Sequence, residues 1–298
     1  MTAVGLMLAP QGDPAEVVGA ARRAEELGYD FLACGEHVFF HSPTPNALAA
    51  AAGATTRIRL LSALAILPLY PAALAAKMAA TLDRVSAGRF DLGIGVGGEF
   101  PAEFAACDVP VPRRGRRTDE ALDLLTRLFD GERVAFDGHE VTLDPLPVQR
   151  PRPPLWIGGR SEAAMRRAGR FGDVWVPYMC SPDQLATELA TVDEATAGHG
   201  RSGGGGGVFC WAGAGRDGAA ARRGAIETLG RVYRQDFTPI ADRYVPSRTP
   251  GQVVARLREY VDAGARSIVL VPACADDDRA AMVDLVAHEI APALRSPA

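Results

Sequence analysis

The chain has 298 residues, 48% of them hydrophobic and 23% charged, a balance that supports a large buried core and argues against disorder. Its formal net charge of −4 supplies no basic face for nucleic acid or for an anionic membrane surface. Five cysteines (Cys34, Cys107, Cys180, Cys210, Cys274) are odd in number and far apart, with no CxxC or Cys/His pairing, which argues against a disulfide framework and against a metal site.

The first predicted strand covers residues 4–9. Asp13-Pro14-Ala15-Glu16 then offers an N-cap, a proline at the first helical position and an acid at the third. Val17, Ala21, Ala24 and Leu27 follow at helical spacing, with Arg22, Arg23, Glu25 and Glu26 left for solvent, so a helix is predicted over 14–27. Gly28 provides a left-handed terminus, and the next strand covers 30–35. The same unit recurs with strands over 59–66, 90–95, 154–158, 173–177, 208–213 and 267–271. Helices alternate with them over 45–55, 71–86, 115–130, 161–171, 182–198, 217–235 and 250–264, and a closing helix covers 278–294. Ser181-Pro182-Asp183-Gln184 and Thr249-Pro250-Gly251-Gln252 read as capping boxes.

Continuous apolar runs such as Ile268-Val269-Leu270-Val271 are what a parallel sheet covered on both faces requires. Eight strands alternating with helices predict an α/β fold, a (β/α)8 TIM barrel forming a single domain over 1–298; an open doubly wound sheet is the competing arrangement. Two segments depart from the unit. Glu132–Leu143 reads as a β-hairpin inserted before the fifth strand, with Asp137-Gly138 at its turn. Ser202–Gly207 reads as a mobile low-complexity loop that lacks the lysine and spacing of a P-loop. Met1–Met7 has no basic segment and cleavage site of a signal peptide, and the apolar runs Ala47–Ala54 and Leu60–Leu69 fall short of the roughly 20 residues of a bilayer span, so a cytoplasmic protein is expected.

In such a barrel, functional groups sit where strands end in their following loops. The second strand ends in Glu36-His37, an acid beside an imidazole able to exchange protons near neutral pH; the alternative is a histidine that only hydrogen-bonds its loop. The fourth ends in Gly93-Ile94-Gly95-Val96-Gly97-Gly98-Glu99, where small residues let a ligand approach the backbone and Glu99 adds a carboxylate. The fifth ends in Gly158-Gly159-Arg160-Ser161 at the start of a helix, a natural phosphate site or else an ordinary glycine turn with an N-cap. His41, His139, His199 and His288 have no partner spacing and read as structural or solvated.

These signals fall in one order. Gly28-Tyr29-Asp30, Glu36-His37, Thr81-Leu82-Asp83-Arg84-Val85-Ser86-Ala87-Gly88-Arg89-Phe90, Arg114-Gly115-Arg116-Arg117-Thr118-Asp119-Glu120, Pro153-Pro154-Leu155-Trp156-Ile157-Gly158-Gly159, Gly172-Asp173-Val174-Trp175 and Tyr260-Val261-Asp262-Ala263-Gly264 together resemble the luciferase-like monooxygenase superfamily, in particular its coenzyme F420-dependent oxidoreductase branch. The resemblance covers nearly the whole chain and implies a bacterial-luciferase-like barrel. It implies that His37 is the active-site histidine beside the reacting ring, oriented or charge-stabilised by Glu36. It places a non-prolyl cis peptide at Ala63-Leu64, so that Ser62, Ala63 and Leu64 support the cofactor ring, Gly97 and Gly98 border it, and Gly158, Gly159 and Ser161 receive its phosphate. Glu99 fits a second catalytic carboxylate only with a one-residue shift. Val96 stands where FMN-using relatives carry an arginine, which favours F420 over FMN.

The implied activity is hydride transfer between F420 and a small organic substrate, with an FMNH₂-dependent monooxygenase or a non-catalytic flavin- or deazaflavin-binding protein as alternatives. The resemblance also implies a homodimer formed through the helices flanking the early strands.

Overall fold

A computed structural model describes residues 2–7, 16–39, 44–202 and 204–296. Eight parallel strands follow one another round a closed barrel: β1 (Ala3–Met7), β2 (Phe31–Cys34), β3 (Arg59–Ser62), β4 (Phe90–Gly95), β5 (Leu155–Gly158), β6 (Val174–Val176), β7 (Gly205–Ala214) and β8 (Ala265–Pro272). β8 pairs back onto β1, from Ala3 opposite Ser267 to Leu6 opposite Leu270, and β6 meets β7 at Val174 opposite Gly205, so the sheet has no open edge between them. Closure removes the doubly wound alternative.

The continuous apolar runs now have a physical reason. Alternate residues of a strand point to opposite faces. Phe31, Ala33, Leu61, Trp156, Val176, Phe209 and Val269 pack together as the barrel interior. Their neighbours Leu32, Cys34, Leu60, Leu92, Leu155, Ile157, Val208 and Leu270 face outward into a larger core shared with the helices. That outer layer is built from α1 (Val17–Glu26), α2 (Thr44–Ala54), α3 (Ala72–Val85), α5 (Arg114–Phe129), α6 (Glu162–Phe171), α7 (Pro182–Gly198) and Pro250–Asp262, with Arg279–Arg295 closing it. The last of these carries a π-helical turn at Val286–Ile290. Gly28 ends α1 at φ +76°, and Ser181 with Gln184 forms a reciprocal capping box at α7.

The structure also departs from the sequence reading. The Asp13–Ala15 part of the first N-cap signal and His41 lie outside the described residues. The predicted third strand is split: Arg59–Ser62 pairs with β2, while Ala65–Ile66 pairs with β4 beyond a cis Ala63-Leu64 peptide. The hairpin is present as Val134–Phe136 against His139–Val141, with Asp137 and Gly138 both at positive φ. The predicted glycine loop is a correction, because Gly205, Gly206 and Gly207 are the first residues of β7. A Cβ on Gly206 would lie 2.8 Å from the Gly264 carbonyl oxygen, and one on Gly207 would lie 3.0 Å from Val174, so close strand approach requires glycine there. The short helix α4 (Pro101–Ala106) after β4 was not predicted, whereas the helix predicted over 217–235 is present as α8 (Gly218–Tyr233), packed against β7, where a Cβ on Gly213 would lie 3.0 Å from Ala225.

Candidate active site

Past β2–β5 the inward positions are small. A Cβ on Gly93 would lie 1.9 Å from the Ser62 carbonyl oxygen, and one on Gly158 would lie 2.1 Å from Leu64 Cδ1. These glycines leave room for the chain leaving β3, which turns through the cis Ala63-Leu64 peptide and sets Leu64 inside the barrel mouth. The Ser62 hydroxyl donates to the Gly93 carbonyl and accepts from the Gly93 N–H (2.9 and 2.8 Å), replacing the ladder bonds that the bulge interrupts. Ser62 and Gly158 are thus both buried supports of the bulge.

Glu36 and His37 follow β2 directly, and their side chains meet different partners. The buried Glu36 carboxylate accepts from the Ile66 N–H at 2.6 Å and from the Tyr70 hydroxyl, fastening the segment that returns from the bulge. Desolvation and the Glu36 charge raise the Tyr70 pKa, keeping it a donor. The carboxylate that grips the histidine is Glu103, on α4. His37 Nδ1 lies 3.2 Å from both Glu103 oxygens, and Glu103 also accepts from the Val38 N–H at 2.9 Å. Glu103 is almost fully buried while the His37 side chain keeps 24% of its exposure, so the ring is anchored from below and presented to the mouth. Phe100 meets that ring edge-on, 5.1 Å between centroids. Glu103 thus holds the ring in the way expected of Glu36, whose own carboxylate holds Ile66 and Tyr70. Sixty-six residues separate Glu103 from His37, beyond any local motif. The available signal was an acid in the first turn of a Pro-started helix just past a strand end.

Gly97 and Gly98 adopt φ of +57° and +115°, and the Arg114 side chain crosses them, its Nε donating to the Gly97 carbonyl at 3.1 Å. Glu99 is exposed in the same loop and makes no hydrogen bond among the described residues. Gly159 (φ +108°) is exposed, its carbonyl accepting from Trp175 Nε1 at 2.8 Å, and Ser161 caps α6 by accepting from the Ala164 N–H at 3.2 Å. Ser161, Glu162 and Ala163 are exposed, so the amide end of α6 opens at the mouth. Arg160 is paired with Glu188 and donates to the Met179 carbonyl.

Across the barrel, past β6 and β7, the wall is aromatic, formed by Tyr178, Trp211, Tyr233 and Phe237. The Cys34 thiol, at the end of β2, is pushed up to about 12 by burial, so it stays protonated and is no nucleophile at neutral pH. Among the described residues no cluster of three or more His, Cys, Asp or Glu could hold a metal ion, and no helix is long and apolar enough to cross a membrane.

A closed (β/α)8 barrel with an anchored histidine after β2 and a bulge after β3 defines the class. The chain belongs to the luciferase-like monooxygenase family, whose model matches residues 1–210. Members of this family are flavin- or F420-dependent oxidoreductases or monooxygenases. Uncharacterized proteins of Mycobacterium tuberculosis and Mycobacterium bovis are 35% identical over 151 residues, 49% of this chain and 51% of each relative, so the match spans about half the length of these curated relatives. Among solved structures, the monooxygenase RslO1 from Streptomyces bottropensis superposes with a TM-score of 0.83 at 25% identity, covering 97% of this chain and 99% of that one. The coenzyme F420-dependent tetrahydromethanopterin reductase from Methanopyrus kandleri has the same fold, with a TM-score of 0.81 at 17% identity over 99% of both chains. So does the FMN-bound oxygenating constituent of 3,6-diketocamphane monooxygenase from Pseudomonas putida, with a TM-score of 0.83 at 19% identity over the full length of both.

Proposed function

We propose that the protein is an F420-dependent oxidoreductase that transfers a hydride between the deazaflavin and a small organic substrate. The observation that carries this reading is His37 held at the mouth by Nδ1 on the buried Glu103, beside the Ala63-Leu64 bulge. The residues present fit a flat ring with a phosphate tail. The bulge gives an apolar ledge close to the backbone, the glycines after β4 and β5 remove side-chain bulk, and Gly159, Ser161 and the open amides of α6 suit a phosphate. Val96, not a cation, follows β4, which supports a deazaflavin over FMN.

F420, when bound, supplies a carbon that accepts or releases hydride. The chain's part is orientation and proton handling. Glu103 accepts the Nδ1–H of His37 and fixes the tautomer, which directs proton exchange through Nε2. A substrate alcohol or carbonyl oxygen at that nitrogen gives up or receives its proton as hydride moves. Phe100 meets the ring edge-on and adds apolar surface beside this nitrogen.

The second reading, an FMNH₂-dependent monooxygenase, is favoured by the 25% identity shared with the Streptomyces bottropensis monooxygenase over 97% of the chain. Parallel titrations with F420 and FMN, oxidised and reduced, followed by fluorescence or calorimetry, separate the two. Micromolar binding of F420 with negligible FMN binding is the expected result. The reverse preference moves the monooxygenase reading to first place, and binding of neither removes the cofactor site.

A further inference from the structure

The aromatic wall opposite His37 has an unbalanced hydrogen-bond inventory. Trp211 Nε1 donates to the Tyr178 hydroxyl and lies 3.3 Å from the Tyr233 hydroxyl, while the two tyrosine hydroxyls contact each other. The three groups carry three donor hydrogens but only two acceptor oxygens, since an indole nitrogen accepts nothing. The indole N–H takes one tyrosine oxygen and one phenol O–H takes the other. One phenol O–H is left without an acceptor among the described residues. Both tyrosines are part-exposed, Tyr178 at 37% and Tyr233 at 40%, whereas Trp211 beneath them is buried at 3%, so the remaining O–H points away from the core.

The position of this donor matters as much as the count. Phe209 and Trp211 occupy successive inward positions of β7, and Tyr178 follows β6 with a bridge to Phe209. Met7, at the end of β1, packs against both the barrel interior and the Trp211 cluster, and its Cε lies 3.1 Å from where a Gly35 Cβ would stand. One methionine side chain thus links the Trp211 cluster beneath the tyrosine pair to the residue two before His37. The ionic groups beside this wall, Arg160 and Glu188, are paired with each other. Burial raises the pKa of both tyrosines, so they remain hydroxyls at neutral pH.

We propose that Tyr178, Trp211 and Tyr233 form a second polar subsite for the substrate, in which the remaining tyrosine O–H donates to an uncharged carbonyl or hydroxyl oxygen other than the reacting one at His37 Nε2, the apolar body of the substrate lying on the aromatic wall. This deepens the functional reading above and rests on it for placing the reaction at this mouth.

The inventory makes an unusual forecast for mutants. In either single Tyr→Phe variant the surviving tyrosine takes the Trp211 N–H on its oxygen and still turns its own proton outward. Only the double variant loses the donor. The test is ligand-observed NMR titration of the full chain with acetophenone and with ethylbenzene, which lacks the oxygen. One neutral hydrogen bond corresponds to about a fivefold preference for acetophenone in the wild type. Tyr178→Phe and Tyr233→Phe keep most of it. In Tyr178→Phe/Tyr233→Phe the preference is lost while ethylbenzene affinity stays within about twofold, the apolar wall being unchanged. No preference in the wild type, a preference that survives in the double variant, or loss of both ligands together each overturns the proposal. F420 and FMN titrations of the same proteins keep the two claims apart. Cofactor affinity unchanged in the double variant is the expected companion result, and a wild type that binds neither cofactor sinks the functional reading while leaving the acetophenone preference as measured.

Discussion

Two glutamates near the mouth hold different things, and single substitutions separate them. Glu103 touches the histidine, so Glu103→Gln keeps an acceptor for the Val38 N–H but weakens the hold on His37. The expected result is a fall in kcat of about 10- to 100-fold with cofactor affinity nearly unchanged, as for loss of a ring-orienting partner. His37→Ala removes the proton carrier itself and lowers kcat by about 10²- to 10⁴-fold. Glu36→Gln instead loosens the Ile66 and Tyr70 anchors of the bulge, so cofactor affinity drops before kcat does. Steady-state kinetics beside cofactor titration reads the split, and a Glu36→Gln variant that loses only kcat would overturn these assignments. The histidine was legible in the sequence because it follows an apolar strand run. Its partner was not, because α4 folds back from the next loop but one and nothing in Pro101-Ala102-Glu103-Phe104 announces which strand end it will meet.

At the scale of elements, the strands were legible wherever two-sided burial imposed continuous apolar runs, and the helices wherever a cap opened a 3.6-residue pattern. Glycine was the point of failure, since composition alone cannot tell a loop glycine from one crowded between strands. Gly206 and Gly207 were read as a loop and are buried strand. The same crowding makes unequal predictions at the bulge. In Gly93→Ala the new methyl would sit 1.9 Å from the Ser62 carbonyl oxygen, a backbone atom fixed by the Ser62–Gly93 hydrogen bonds. In Gly158→Ala the one contact closer than ordinary packing is Leu64 Cδ1 at 2.1 Å, the end of a side chain that can turn. Gly93→Ala is expected to lose about 3 kcal/mol or to fail to fold, and Gly158→Ala to lose about 1–2 kcal/mol. Adding Leu64→Ala to Gly158→Ala recovers part of that loss, whereas adding it to Gly93→Ala recovers little. Urea midpoints of the four variants decide it; equal costs for the two glycines would refute a backbone origin of the difference.

The whole molecule divides along its axis, with the reacting groups at the strand ends and the fastening groups at the strand starts. The family model stops at residue 210, within β7, yet the barrel closes only when β8 pairs with β1, so the remaining chain is structurally required and also supplies Trp211 and Tyr233. At the strand starts, carboxylates gather backbone N–H groups from neighbouring connections. Asp30 accepts from Val4, Asp83 from Val148 and Gln149, Asp173 from Leu155, and Glu25 from Thr56, Arg57 and Ile58. For Glu25, burial works to raise the pKa, but the three backbone donors together outweigh it and lower the value to about 2. A carboxylate held below its unfolded value near 4.5 stabilises the fold fully above that pH, and the contribution disappears as pH falls through about 2. Glu25→Ala should therefore cost about 1–2 kcal/mol at pH 7, three charge-assisted bonds discounted for the partial exposure of the carboxylate. The difference between wild type and variant should shrink between pH 4.5 and pH 2, because only the wild type has a proton to take up there. Urea unfolding of both proteins at pH 7, 4 and 2.5 measures the gap. A gap that stays constant with pH would mean that Glu25 acts through packing and not through its charge.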